Sequence, residues 1–357
     1  TDTKVPAEAT AETAPYFPDN TFTKKEGTID TGLVIQDASG NEYVWVVVPK
    51  SLYNNTAYNS NNAKKPSSST DYANIEYCLQ QYTATYRKGT SNSDVYYPDD
   101  KKVGWFADET AYNNLKNIML KSVYENGGFY VGRYEAGIGT NRTSNTDTNS
   151  DGKYTMPSTV PVSKADAYPY TYVTRTQAQN LASNVNSGTK TSSLMFGVQW
   201  DLVLAFMSKD TAKITSTDDL TKDSTTIGNY GYSEFQLRET GKYATMSAYN
   251  LSSTWNPSTT PTANFVDSNR SKIAQYSFGN GVLITTGTSE KNKVMNIYDI
   301  AGNVGEWTLE KYSDTDFPCV YRARGIYATG SSNPAANREN DATYFNGDKV
   351  GFRVSLF

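Results

Sequence analysis

The sequence contains no histidine in 357 residues and only two cysteines, Cys78 and Cys319. Without histidine the chain cannot build a Ser-His-Asp triad, a Cys-His dyad or a metal site with imidazole ligands. Two thiolates are also too few for an all-cysteine metal centre. Catalysis by this chain is therefore limited to carboxylate pairs, Ser-Lys arrangements, a reactive thiol, or hard cations held by oxygen ligands.

Charged residues and long apolar runs are scarce as well. Only 20% of the residues are charged and the formal net charge is −4, so we expect no nucleic-acid partner, which would require a basic surface. The longest apolar run, Val44–Val48, is far shorter than the roughly 20 residues of a membrane-spanning helix. Because the chain begins with Thr1 rather than Met, a removed leader, a removed membrane anchor or an artificial boundary would each account for its start.

Tyrosine is abundant: the chain has 28 tyrosines against 13 phenylalanines. Tyrosine together with Ser, Asn and Gly is typical of surfaces that bind other molecules, because tyrosine adds rigid amphipathic area beside adaptable hydrogen-bonding groups. The same composition is typical of a β-rich extracellular protein, since strands also favour Tyr and Thr. Composition alone leaves both interpretations open.

The chain is predicted to contain one domain. Residues 1–24 mix Ala, Thr, Glu and Pro without an apolar period, which predicts a linker or tail. No later segment resembles a linker between domains, so residues 25–357 are assigned to a single domain. Residues 32–50 predict a hairpin around Ser39-Gly40-Asn41. Apolar spacing predicts four helices, which fall within residues 71–87, 108–124, 172–184 and 194–209.

Two segments are candidates for chemistry on local grounds. Asp147, Asn149 and Asp151, followed by Gly152, match the first half of a calcium-binding loop, but the twelfth position is Ser158 rather than the bidentate Glu. Cys319 is predicted to be a buried structural thiol or a partner for Cys78, and the sequence does not decide between them.

The most specific motifs lie near the C-terminus: MNIYDIAGNVGEWTLE from Met295, then YRARGIY from Tyr321, and finally GFRV from Gly351. Together with the upstream segments GGFYVGRYEAG and SSLMFGVQWDLVLAF, they resemble the formylglycine-generating enzyme or sulfatase-modifying factor family. The resemblance covers roughly residues 127–357. It implies an α+β fold of the C-type lectin type, with short irregular strands, few helices and long loops.

The resemblance also implies roles for the motif residues. Structural roles are expected for Gly302, Asn303, Glu306, Trp307, Gly351, Phe352 and Arg353. Asn303 and Glu306 stand where some relatives bind calcium, so calcium is the one candidate cofactor, at these two residues or in the loop at Asp147.

The sequence departs from the enzymes of this family. Formylglycine-generating enzymes bind copper through cysteines of the C-terminal region, where this chain has only Cys319. The ergothioneine-synthase branch needs three histidine ligands for iron, and the chain has none. We therefore expect no catalysis, and a copper-dependent oxidase of the formylglycine-generating type remains an alternative.

A third branch of the fold, the variable proteins of diversity-generating retroelements, is not enzymatic. In these proteins adenine-directed mutagenesis rewrites codons near the C-terminus, and residues 321–349 resemble such a segment. Many of its residues are reachable from a diversified Asn-type codon, and these are the predicted ligand-binding positions: Ala323, Ile326, Tyr327, Ala328, Ser331, Ser332, Asp341, Thr343, Tyr344, Asn346 and Asp348.

The resulting hypothesis is a binding protein displayed at a cell or virion surface, with Tyr327 and Tyr344 as anchors of the ligand. Residues 24–51 resemble bacterial surface proteins with a pilin-like N-terminal anchor, which implies an extracellular location and membrane attachment only through a removed anchor. The expected partner is a protein or glycan on another cell, a phage or a host. A carbohydrate-binding adhesin of fixed specificity is a second alternative.

Overall fold

A computed structural model describes residues 3–5, 8–87, 93–99, 104–185, 190–247, 250–251, 253–262, 265–273, 280–312 and 315–357. Five α-helices lie in these ranges: α1 (Ser69–Tyr82), α2 (Glu109–Asn126), α3 (Arg175–Ser183), α4 (Gly197–Met207) and α5 (Asp218–Thr221). No helix in this part of the chain combines the length and the apolar character needed to cross a bilayer.

The helices begin and end where local signals predict. Asp108 accepts a hydrogen bond from the Ala111 amide at the start of α2, and Gly127 ends that helix in the left-handed conformation at φ 68°. Thr174 forms a capping box with Gln177 at the start of α3. Every residue of α4 is buried, as its apolar sequence predicts.

Most strands are short. They are β1 (Thr3–Lys4), β2 (Tyr16–Phe17), β3 (Thr23–Glu26), β4 (Val34–Gln36), β5 (Glu42–Val47), β6 (Gly128–Gly132), β7 (Gly137–Ile138), β8 (Tyr168–Pro169), β9 (Ser192–Leu194), β10 (Glu234–Gln236), β11 (Lys242–Ser247), β12 (Asn250–Leu251), β13 (Asn256–Pro257), β14 (Ser271–Ile273), β15 (Gly281–Ile284), β16 (Lys293–Val294), β17 (Ile297–Tyr298), β18 (Gly305–Lys311), β19 (Cys319–Arg322), β20 (Arg338–Asp341), β21 (Val350–Gly351) and β22 (Val354–Leu356). Few helices, short strands and long loops confirm the predicted α+β fold.

Two sheets organise the domain. A six-stranded sheet has the order β3-β4-β5-β6-β22-β9, so the last strand of the chain lies between β6 and β9. It contains the predicted hairpin, in which β4 and β5 pair antiparallel with Val34 opposite Val44. A four-stranded sheet has the order β20-β19-β18-β21 and is built from the C-terminal motifs. Both sheets contribute to one hydrophobic core that includes Trp45, Trp200 and Trp307.

The prediction that residues 1–24 form a linker is wrong for the described part of that segment. Tyr16 is fully buried, with its ring 5.5 Å from the Trp45 ring and 5.8 Å from the Tyr130 ring. The Trp45 indole donates to the Thr13 hydroxyl at 2.7 Å, and that hydroxyl donates to the Gly127 carbonyl at 2.7 Å. Isolated apolar residues in a polar segment show no period, and for that reason the sequence did not reveal this packing.

Candidate functional site

The turn before β18 positions the first motif. Gly302 has φ 73°, and a Cβ there would lie 2.4 Å from the Asn229 carbonyl oxygen, so only glycine fits. Asn303 follows in the left-handed region at φ 56°. Its side-chain Nδ2 donates to Glu135 Oε2 at 2.8 Å, and its side-chain Oδ1 accepts from the main-chain N–H of Ile284 at 3.0 Å. Asn303 therefore joins three segments of the chain through its own side chain.

Glu306 and Arg353 form a buried ion pair between the second and third motifs. Arg353 Nη2 lies 2.6 Å from Glu306 Oε1, and both side chains are essentially inaccessible to solvent. Arg353 also donates to the carbonyls of Gly132 and Tyr298, at 2.9 and 2.8 Å. The terminal Gly-Phe-Arg motif thus joins the start of β22 to β18, β6 and β17 through the side chain of Arg353.

Trp307 and Phe352 fill the core around this ion pair. The Trp307 indole donates to the Val173 carbonyl at 3.1 Å, and its ring meets the Tyr321 ring edge-on at 5.5 Å. Phe352 is fully buried against Tyr170, and Gly351 pairs with Glu306 across the parallel β18–β21 contact. These motif residues build the scaffold and do not reach its surface.

The geometry does not favour calcium at either predicted position. Glu306 is held by Arg353, and the Asn303 oxygen already accepts hydrogen bonds. In the other loop, Asp147 pairs with Arg142 at 2.9 Å, and Asn149 Oδ1 accepts from the Asp151 amide at 3.1 Å. Across the described ranges, no group of three or more carboxylate or thiol side chains is arranged to hold a metal ion.

A buried ionic network lies directly beneath the C-terminal segment. Arg322 and Arg338 each lie 2.8 Å from a different oxygen of Asp201. Arg338 Nε lies 2.7 Å from Glu310 Oε1, and Arg322 lies 3.4 Å from Glu310 Oε2. Burial opposes ionisation of Glu310, but the charges of Arg338 and Arg322 outweigh it and hold the pKa of that carboxyl below its usual range. The network fixes β19 and β20 on α4.

Three of the predicted ligand-binding residues cannot contact a ligand where they stand. Ala323, Ile326 and Ala328 are buried, with exposed fractions of 1%, 2% and 5%. Ile326 packs against Met246 and other apolar side chains of a small satellite core. The prediction is therefore wrong for direct contact by these three, because codon type and polarity do not encode burial.

The other predicted residues reach solvent, in two places. Ser331 and Ser332 lie in a tight turn that bonds to Thr329 and follows Gly330, whose carbonyl accepts from the Ser224 amide. The second group comprises Asp341 at the end of β20, the residues that follow this strand, and Tyr327, which bonds to one of them: Asp341, Thr343, Tyr344, Asn346, Asp348 and Tyr327. Tyr344 is 64% exposed, and the others are half-buried.

Hydrogen bonds connect the second group. The Tyr327 hydroxyl donates to Asp348 Oδ2 at 2.6 Å, and burial together with this carboxylate raises the pKa of Tyr327. The Tyr154 hydroxyl donates to the Tyr344 carbonyl at 3.1 Å and accepts from the Asn346 amide at 3.2 Å. These bonds hold the side chains of Tyr327 and Asn346 in place, and they hold the main chain at Tyr344.

Two residues outside the predicted segment complete this surface. Trp255 and Tyr327 both pack against the satellite core of Ile326. Tyr172 has φ 55°, and its amide donates to the Gly347 carbonyl at 3.0 Å, which places it next to Asp348. The only signal for Tyr172 in the sequence was the general tyrosine excess, and no pattern in the sequence pointed to Trp255. We call the following six residues the C-terminal surface: Tyr172, Trp255, Tyr327, Tyr344, Asn346 and Asp348.

A family model, that of the sulfatase-modifying factor enzyme 1-like domain, matches residues 106–356, well over half of the chain. The chain belongs to this family. The match confirms the family that the C-terminal motifs predicted. No curated protein matches the chain. Among solved structures, the chain is similar to Treponema denticola variable protein 1, with 12% identity over 64% of this chain and 84% of that chain, and a TM-score of 0.32.

The cysteines of this sulfatase-modifying factor-like domain are poorly placed for copper chemistry. Cys78 and Cys319 are both free, so the alternative of a bridge between them is wrong. Both are fully buried, and burial raises the pKa of each thiol to about 11. A thiolate ligand for copper is therefore disfavoured at both positions, although the family to which the chain belongs is named for an enzyme.

Proposed function

We propose that this chain is a non-enzymatic binding protein and that its ligand contacts the C-terminal surface. The observation that carries the proposal is the organisation of that surface. Tyr344 is 64% exposed, while Tyr327 and Asn346 are fixed by hydrogen bonds to Asp348 and Tyr154. Rigid aromatic area with adaptable polar neighbours is what binding loops supply at low entropic cost.

The scaffold beneath the surface supports the same function. Buried ion pairs at Arg322, Arg338 and Arg353 fix the strands from which the loops emerge. Substitutions among exposed loop residues would leave those pairs intact, so the ligand could change while the fold is kept. We propose that retroelement mutagenesis diversifies the exposed positions of residues 321–349, and that the protein is displayed outside the cell.

The binding proposal is tested with an immobilised full chain screened against a glycan array and a displayed random-peptide library. For whichever probes bind, Tyr344→Ala is expected to weaken binding at least tenfold, as truncation of a central aromatic contact does. The matched control is Ile118→Ala on α2, an apolar residue that is 48% exposed and lies outside the C-terminal surface. Equal binding by wild type and Tyr344→Ala would refute the proposal, whether or not Ile118→Ala binds more weakly.

Diversification is tested separately by sequencing many copies of the gene from one population. We expect codon differences at Tyr327, Thr343, Tyr344, Asn346 and Asp348, and none at Arg322 or Arg353, which form buried pairs. Invariant codons at all five surface positions would favour an adhesin of fixed specificity.

A further inference from the structure

The outer strand of the four-stranded sheet has an unpaired side. Strand β20 pairs only with β19 in the described structure, with Arg322 opposite Arg338 and Tyr321 opposite Glu339. The Ala323 amide donates to the Asn337 carbonyl, which identifies that pair as hydrogen-bonded in the antiparallel ladder. Hydrogen-bonded and non-hydrogen-bonded pairs alternate along the ladder. The main-chain N–H and C=O groups of Glu339 and Asp341 therefore point toward β19, whereas those of Arg338 and Asn340 point outward from the free edge of the sheet.

Solvent reaches this outer side. The Arg338 side chain is only 4% exposed, yet the residue as a whole is half-buried, so its exposed area belongs to the main chain. Among the described residues, no hydrogen bond to the main-chain N–H or C=O of Arg338 or Asn340 is present. Two N–H and two C=O groups, spaced two residues apart along an extended strand, are therefore available.

The edges of the six-stranded sheet are protected in ways that β20 is not. Strand β3 carries Lys24 and Lys25, and charged lysines discourage edge pairing. At β9, the outward Leu194 amide donates to the side chain of Gln179 on α3 at 3.0 Å. The only cationic residue of β20 is Arg338, and its side chain points inward to Asp201 and Glu310. It therefore does not protect the edge of this strand as the lysines of β3 do.

The surroundings of β20 fit a polypeptide. Phe317, which is 44% exposed, lies beside the strand, and its carbonyl accepts from the Asn340 side chain at 3.0 Å. At the other end, Asp341 leads directly to Thr343 and Tyr344 of the ligand-contacting loops. An extended peptide repeats its N–H and C=O groups at the two-residue spacing of this edge, and a glycan does not.

We propose that β20 takes up an extended peptide segment of the ligand as a fifth strand, so that the ligand of this protein is a polypeptide. The inference rests on the proposed function, because it assigns the ligand class of the same end of the molecule. Main-chain hydrogen bonds to Arg338 and Asn340 would supply affinity for any extended sequence, and the side chains of the C-terminal surface would select among sequences.

The test uses peptides selected from a random displayed library on the full wild-type chain. Asn340→Pro removes the outward N–H from the edge, where proline is tolerated, together with the side-chain bond to Phe317, and Asn340→Ala is the matched control that loses the same bond but keeps the N–H. We expect Asn340→Pro to weaken peptide binding roughly tenfold and Asn340→Ala to change it less than threefold.

A second measurement needs no protein variant. N-methylation of the selected peptide at alternate residues should abolish binding to the wild-type chain in one register and leave it unchanged in the other. Hydrogen exchange at the Arg338 and Asn340 amides should slow when the unmodified peptide binds.

Peptides that bind Asn340→Pro and Asn340→Ala equally, and that tolerate N-methylation in both registers, would overturn the inference. So would a library that yields no peptide while the glycan array yields ligands. In either case binding that still depends on Tyr344 would leave the proposed function standing, whereas indifference to Tyr344→Ala would refute the proposed function itself.

Discussion

At the scale of single residues, the motifs of this chain act through burial rather than through chemistry at a surface. Arg353 makes an ion pair with Glu306 and hydrogen bonds to two carbonyls from distant segments. Removing one partner of such a pair leaves an uncompensated buried charge, which costs far more than losing an exposed pair.

Arg353→Ala is therefore expected to lower the free energy of unfolding by about 3–5 kcal/mol, measured by urea denaturation. The control is Lys222→Ala, which breaks the exposed pair with Asp218 and should cost less than about 1 kcal/mol. If the two variants unfolded at the same urea concentration, the structural role given to Arg353 would be wrong.

At the scale of elements, the N-terminal segment behaves as part of the domain. Strand β2 packs against the first sheet through Tyr16, whose carbonyl accepts from the Tyr130 hydroxyl at 2.6 Å. Because Tyr16 is fully buried against the Trp45 and Tyr130 rings, its removal leaves a cavity beside both of them.

We expect Tyr16→Ala to lower the free energy of unfolding by about 3 kcal/mol. Tyr344→Ala is the matched control, because that side chain is 64% exposed and its loss should change stability by less than about 0.5 kcal/mol. Chemical denaturation of both variants measures the difference. A solvated tail would instead make Tyr16→Ala as mild as Tyr344→Ala.

At the scale of the whole molecule, a buried carboxyl couples stability to pH. Asp94 accepts hydrogen bonds from the Gly197 and Val198 amides at the start of α4, at 2.7 and 3.0 Å. Burial, together with the charges of Glu310 and Glu76, raises the pKa of Asp94 to about 7. The folded state then holds this proton more tightly than the unfolded state does.

For a carboxyl with a raised pKa, the contribution to stability is complete below the ordinary Asp value and is lost as pH rises through the folded value. Asp94 should therefore make the wild type lose stability between about pH 4 and 7. Asp94→Asn cannot ionise, and the difference in unfolding free energy between the two proteins should change steadily across this window and level off above it. A constant difference from pH 4 to 8 would show that Asp94 has no raised pKa.

The sequence determined those parts of the fold whose causes are local. Asp108 and Gly127 bound α2 because a cap needs only its own turn, and the hairpin of β4 and β5 follows from its short turn. The absence of histidine excludes whole classes of catalysis, because no fold can supply a side chain that the chain lacks. The C-terminal motifs identified the family because their residues recur in order along the chain.

Only the tertiary structure decided which side chains meet and which face water. Arg338 pairs with Asp201, which lies 137 positions earlier in the sequence. Tyr16 packs into the hydrophobic core beside the six-stranded sheet, whose first strand comes later in the chain. Ile326 and Tyr327 are adjacent in sequence, yet Ile326 is buried, whereas Tyr327 is half-buried and belongs to the C-terminal surface. Tyr172 joins that surface because the chain folds it beside Tyr327 and Asp348, and Trp255 joins it because it packs on the same satellite core as Tyr327. Burial depends on contacts between distant segments, and a local pattern of residue types does not specify such contacts.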